Sequence, residues 1–190
     1  MSARIERADI VDYVTYEDTR AETRDAAMAA KAPRRIHVGT HLTFLFENRQ
    51  TLIYQVQEIM RTERIVREAA IQGEIDAYNE LLGGAGELGC VLLIEVEDAD
   101  ERARRLVEWF GMQHTLYARL ADGTTVAPRV DPGQADAGKG KLSSVQYLHF
   151  LLPEPPIAIG CGFPALAAET VLDDAQRAAL AADLAASHDH

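Results

Sequence analysis

Residues 34–72 read RRIHVGTHLTFLFENRQTLIYQVQEIMRTERIVREAAIQ, and this stretch decides the fold class. Its first part alternates. Ile36, Val38, Leu42, Phe44 and Phe46 fall on one side, and His37, His41, Thr43 and Glu47 on the other. A period of two is the mark of half-buried strands, and Gly39-Thr40 between the runs predicts a hairpin or two successive short strands. At Asn48 the period changes. Leu52, Val56, Ile59, Met60, Val66 and Ala70 recur at helical spacing. Asn48 therefore caps a long helix, predicted over about Arg49 to Gln72 and broken by Gly73.

Working outward, the segment from Asp9 to Ala32 is rich in alanine and acids. It predicts a helical arm, about residues 1–33, starting near Thr15 with Asp18 and stopped by Pro33. Glu74 to Leu82 adds a shorter helical piece. Gly89 to Val96 is a nearly continuous apolar strand, and Asp98 caps a helix from Ala99 to Phe110 that Gly111 closes. His114–Leu120 and Thr124–Arg129 flank Asp122-Gly123, a strong hairpin signal. Residues 131–141, DPGQADAGKGK, can bury nothing and predict a mobile loop. Val145 to Leu152 is a strand and Pro153 to Pro156 a turn, while Ile157 to Phe163 predicts a short edge strand or an irregular segment. Asp173 with Gln176 starts a last helix, Asp174 to Ala186, before a frayed SHDH tail. The order predicts one α+β domain over 1–190: an antiparallel or mixed sheet of five to seven strands, packed by a long central helix and flanking helices.

The chain has 190 residues, 47% of them hydrophobic, and a formal charge of −11, an ordinary globular composition. An acidic surface repels phosphate backbones and anionic lipid heads, so no nucleic acid and no membrane is expected as a partner. Cys90 and Cys161 match no CxxC motif or disulfide framework, and both lie in apolar runs, as buried free thiols do. No signal-type or bilayer-spanning apolar run is present, so a cytoplasmic location is expected. Gly83-Gly84-Ala85-Gly86 lacks the lysine of a phosphate-binding loop, and there is no GxSxG.

The charge is not uniform. From Arg34 to Gln72 there are six arginines against four glutamates and neither lysine nor aspartate, a +2 segment, so the rest of the chain carries −13. Arginine keeps its charge when buried and presents a rigid fork to carboxylates, so this segment predicts organised ion pairs. Glu47, Arg49, Tyr54, Gln55, Glu58 and Arg61 are the candidate ligand-binding surface. Tyr54, Glu58 and Arg61 neighbour one another by helical spacing. Glu63 falls on the apolar stripe, where a carboxylate needs a partner. Either it pairs with a strand arginine, or it is a desolvated carboxylate in a cleft. Glu58 and Glu63 are thus the candidate acids or bases. His41, Glu47, Glu58 and Glu63 could converge on a divalent ion such as iron, manganese or zinc if the helix crosses their strand face. His149, in VQYLHFLL, reads as a hydrogen-bonded core or sheet-face residue.

FENRQTLIYQVQEIMRTERI followed by EIDAYNELL, with the RADIVDY opening and the GCVLLIEV strand, resembles the bacterial family known only as domain of unknown function 3501. The resemblance covers nearly the whole chain and implies a link to iron or redox physiology, since members are encoded near rubrerythrin-like and iron–sulfur proteins. Two functional classes are open. One is an accessory domain that binds a small molecule or a protein partner, with a homodimer plausible through exposed sheet edges. The other is a metal-dependent enzyme built on the His/Glu cluster.

Overall fold

The computed structural model describes residues 4–130, 135–136 and 140–188. In chain order the helices and strands are α1 (Tyr13–Lys31), β1 (Arg35–Val38), β2 (Leu42–Phe46), α2 (Arg49–Glu63), α3 (Glu68–Asn79), β3 (Glu87–Ile94), α4 (Ala99–Glu108), β4 (Leu116–Arg119), β5 (Thr125–Val126), β6 (Arg129–Val130), β7 (Ala135–Asp136), β8 (Lys141–Leu142), β9 (Val145–Leu151), β10 (Ala158–Cys161), β11 (Ala168–Val171) and α5 (Asp174–Ser187). The class is α+β. The strands divide between two antiparallel sheets, one ordered β1-β2-β3-β9-β6 and one ordered β11-β10-β4-β5, with a β7-β8 ribbon besides.

The alternation read from the sequence fixes the register of the first sheet. Ile36 pairs Phe44, Phe44 pairs Leu92, and Cys90 pairs Leu148. These side chains share one face and join β4, β10, α4 and α5 in the main core. A one-residue slip would turn all of them outward, so burial itself sets the pairing. A second, smaller core gathers Leu52, Val56 and Met60 of α2, Ile71 and Ile75 of α3, and Ile5 and Ile10 of the N-terminal segment.

Several expectations change. The single helix over 49–72 is two helices, and the break is not at Gly73. Arg64 takes φ 55°, a left-handed C-cap, and Arg67 is extended before α3. The bend turns the apolar faces of both pieces onto the same small core, which a straight helix could not do. Gly73 lies inside α3 with nothing within 4 Å of where a Cβ would stand. The segment 157–163 is not an edge: β10 runs between β11 and β4, and all four of its residues are buried. At Gly160 the Tyr117 ring occupies the space of a side chain. Of the tail expected to fray, Ser187 still belongs to α5 and its hydroxyl accepts from the Gly86 N–H at 3.1 Å, while residues 189–190 lie outside the described residues.

The loop expected over 131–141 lies largely outside the described residues; within it, Asp136 pairs Lys141. The N-terminal arm does pack on the body, with Tyr16 only 1% exposed. Its helix starts at Tyr13 rather than Thr15, because the Asp12 side chain accepts from the Val14 and Thr15 N–H groups.

One close approach places the site described below. A Cβ at Gly89 would stand 1.7 Å from the Leu81 carbonyl oxygen. The chain leaving α3 therefore crosses β3 in direct backbone contact, which only glycine permits.

Candidate functional site

The arginine/glutamate residues of α2 are organised ion pairs, and their partners are on the N-terminal arm. Glu58 accepts from Arg20 Nε at 2.7 Å, from Arg20 Nη2 at 2.9 Å and from the Tyr16 hydroxyl at 2.6 Å. Arg20 above all, with Tyr16, holds the Glu58 carboxyl below the ordinary carboxylate range against its partial burial. Arg61 Nε lies 2.5 Å from Glu17 Oε1, a charge contact whose alignment falls short of a hydrogen bond. Arg49 pairs with Asp9 and donates to the Arg4 carbonyl. These side chains fasten α1 and the N-terminal segment to α2.

Glu47 and Gln55 form a separate group. Glu47 is 7% exposed, accepting from the Thr51 hydroxyl and from Gln55 Nε2. Burial pushes its carboxyl above the ordinary range, opposed by the Thr51 and Gln55 bonds and by the charges of Lys31 and Arg34. Tyr54 lies under the Lys31 ammonium, 5.5 Å from ring centre to nitrogen. From Thr51 the network continues through the Asn48 cap to Asp183 of α5, which also accepts from Arg34 Nε and Nη2.

The proposed metal ligands do not meet. His41 hydrogen-bonds through Nδ1 to the Glu95 carbonyl and packs its ring on Trp109. Six residues of extended chain carry it roughly 20 Å from Glu47. Glu58 is engaged by α1, and Glu63 is exposed because α2 ends there instead of carrying it along the apolar stripe. Among the described residues, no three His, Cys, Asp or Glu side chains converge as a metal site. The histidine–carboxylate pair that does form is a different one: the Thr43 hydroxyl bridges His37 Nδ1 and Glu95 Oε2 at 2.9 and 2.5 Å. Both thiols are free and buried, and burial pushes that of Cys90 well up.

Among the described residues, a site-like arrangement lies on the outer face of the first sheet, where α3 ends. A cleft of about 780 Å³ is lined by Arg4, Glu87, Arg129, Tyr147 and His149, with Gly83-Gly84 along its rim. The Asn79 side chain holds the main chain of Ile5 with two hydrogen bonds, 2.8 and 3.0 Å, and so sets Arg4 at the cleft. Register sets the rest, pairing Arg129 with His149 and Glu87 with Leu151. His149 Nε2 lies 3.0 Å from the Glu80 carbonyl. A carbonyl only accepts, so Nε2 carries a proton, and in the neutral ring Nδ1 is the acceptor. Gly83, at φ 79°, lies against this ring, and a Cβ there would stand 3.1 Å from His149 Cδ2.

Glu87 is tied more loosely than its neighbours. Burial opposes its ionisation, but the Gly84 N–H at 2.8 Å and the Arg129 charge outweigh it and bring the carboxyl below the ordinary range. Arg129 reaches both carboxylate oxygens through Nη2 alone, at 3.2 and 3.4 Å. His149 is the hydrogen-bonded sheet-face residue that its sequence position suggests. Arg4, Glu87, Arg129 and Tyr147 carried no sequence signal, since they come from separate segments that only sheet register unites.

Fold and cleft together define an α+β protein of two antiparallel sheets with a polar, histidine-bearing groove on one outer face. Residues 4–184 match the family described as "Protein of unknown function (DUF3501)", and the chain belongs to that family. It is also similar to a protein of unknown function from Burkholderia pseudomallei known by crystal structure. That similarity has a TM-score of 0.86 and 28% identity, covering 95% of this chain and 98% of the other. No curated protein matches the chain. No helix among the described residues is long and apolar enough to cross a membrane.

Proposed function

We propose that this protein is an accessory domain that binds a small polar molecule in the cleft at the end of α3. One observation carries the reading. A histidine with its tautomer set by a backbone carbonyl stands beside an arginine with donors to spare, in a groove whose volume falls within the 300–1,000 Å³ typical of small-molecule sites. The Arg49, Glu58 and Arg61 group, by contrast, is occupied in holding the arm. The iron or redox setting implied by family resemblance would be where such a ligand is met, and nothing in the cleft requires a metal.

The test is a thermal-shift screen of the untagged protein against small carboxylates, amines and amino acids. Hits are then mapped by NMR on ¹³C- and ¹⁵N-labelled protein. Hits that perturb the Tyr147 and His149 rings support the reading. No hits at all, or hits that leave both rings unmoved, overturn it.

A further inference from the structure

Resting on the cleft as the ligand site, we infer that its ligand is a free α-amino acid with an apolar side chain. The argument starts from the unfinished ion pair. Arg129 gives Glu87 only Nη2, at 3.2 and 3.4 Å, and its side chain is 63% exposed. Nε and Nη1 donate to no described residue, so donors of the guanidinium remain for a carboxylate. Glu87 Oε2 also accepts from Gly84, whereas Oε1 has only the 3.4 Å contact and retains capacity for a cation. A zwitterion supplies both missing partners at once. A purely anionic ligand would meet Glu87, and a purely cationic one would meet Arg129.

The spacing narrows the class further. Arg129 and His149 are directly paired across β6 and β9. Cross-strand partners hold their Cβ atoms about 5 Å apart, and the Arg129 guanidinium lies 3.2 and 3.4 Å from the Glu87 oxygens, so a ligand that meets both charges must carry its own two charges close together. A carboxylate and an ammonium on one carbon meet that condition. His149 Nδ1, the acceptor left by the Glu80 bond, takes an ammonium N–H, and Glu87 Oε1 takes another. Tyr147, two residues before His149 on the same face and 40% exposed, offers its ring to the ligand's side chain. A zwitterion carries no net charge, so the −11 of the whole protein does not repel it.

Calorimetric titration of the full chain with L-phenylalanine, 3-phenylpropionate and phenethylamine separates the contributions. L-phenylalanine is expected to bind, and each analogue, lacking one charged hydrogen-bonding group, is expected to bind about ten- to a hundredfold more weakly. Arg129→Met abolishes binding of both carboxylates. Glu87→Gln weakens L-phenylalanine and leaves 3-phenylpropionate bound as tightly or more tightly; if that variant does not fold, Arg129→Met and the analogue pair decide alone. If 3-phenylpropionate binds as tightly as L-phenylalanine, and Arg129→Met abolishes it, the amino-acid inference falls while the cleft remains a ligand site. If these probes and the wider screen all leave Tyr147 and His149 unperturbed, both fall.

Discussion

Arg34 and Asp183, 149 residues apart, close a two-pronged ion pair in which Nε and Nη2 each reach one carboxylate oxygen, at 2.7 and 2.8 Å. Each side chain is 11% exposed. Arg34 also donates to the Ala30 carbonyl, and Asp183 also accepts from Asn48. Four segments, the end of α1, the turn before β1, the start of α2 and the middle of α5, are thereby fixed at one point.

Breaking that pair by Asp183→Asn leaves a desolvated guanidinium. The expected cost is about 3 kcal/mol, in the range for a buried pair that loses one partner. Urea unfolding checks it. A double variant, Arg34→Met with Asp183→Leu, should recover much of the loss, because neither charge is then stranded. A double variant no more stable than Asp183→Asn would show that the pair's geometry, and not its charge, holds the junction.

Glu47 and Glu58 should act on stability with opposite pH signs. The Glu58 carboxyl is held below its ordinary range by Arg20, so its contribution is present above the unfolded value near 4.5 and fades as pH falls through the depressed folded value. The Glu47 carboxyl is raised by burial, so its contribution is complete below about 4.5 and is lost as pH rises through the raised folded value. Glu58→Gln should therefore cost more at pH 7 than at pH 3.5. Glu47→Gln should cost less at pH 7 than at pH 3.5. Melting curves at the two pH values suffice.

Two glycines of similar sequence prominence should respond in opposite directions. Gly89→Ala forces a methyl into the Leu81 carbonyl, and a loss of about 3 kcal/mol or more is expected, because backbone must move. Gly73→Ala adds a methyl in open space inside α3 and should stabilise by roughly 0.5–1 kcal/mol. Denaturant midpoints measured side by side check the pair.

The tautomer of His149 is directly observable. Long-range ¹H–¹⁵N correlation on the neutral ring should show a protonated Nε2 and an unprotonated Nδ1. A proton on Nδ1 instead would mean that the Glu80 carbonyl does not orient the ring.

The sequence was most informative where one residue's choice is dictated by its near neighbours. Alternation through Phe46, the Asn48 cap and the Asp173–Gln176 box lie within a few residues of what they determine, and each stands where it was expected. The bend at Arg64 was illegible because its cause is distant: Ile71 and Ile75 turn toward a core that they share with Ile5 and Ile10. β10 reads in the sequence as a short edge strand or an irregular segment. Its place depends on Tyr117 filling the space at Gly160, 43 residues before it in the chain. The organised pairs of α2 were legible as chemistry but not as a location, since Tyr16, Glu17 and Arg20 lie in the arm. Nothing local marked Arg129, which becomes a neighbour of His149 only when β6 pairs with β9.

The order β1-β2-β3-β9-β6 also bears on how the protein is made. A chain growing from its N-terminus can form the β1–β2 hairpin and add β3 early, but the far edge of β3 has no partner until β9 has emerged. The backbone N–H and C=O groups of that edge stay unpaired in the meantime, which makes this the interval when a nascent chain most needs a chaperone. The cleft is finished only then as well, because His149 arrives with β9. A ligand bound there can reward the completed fold, but it cannot help to start one.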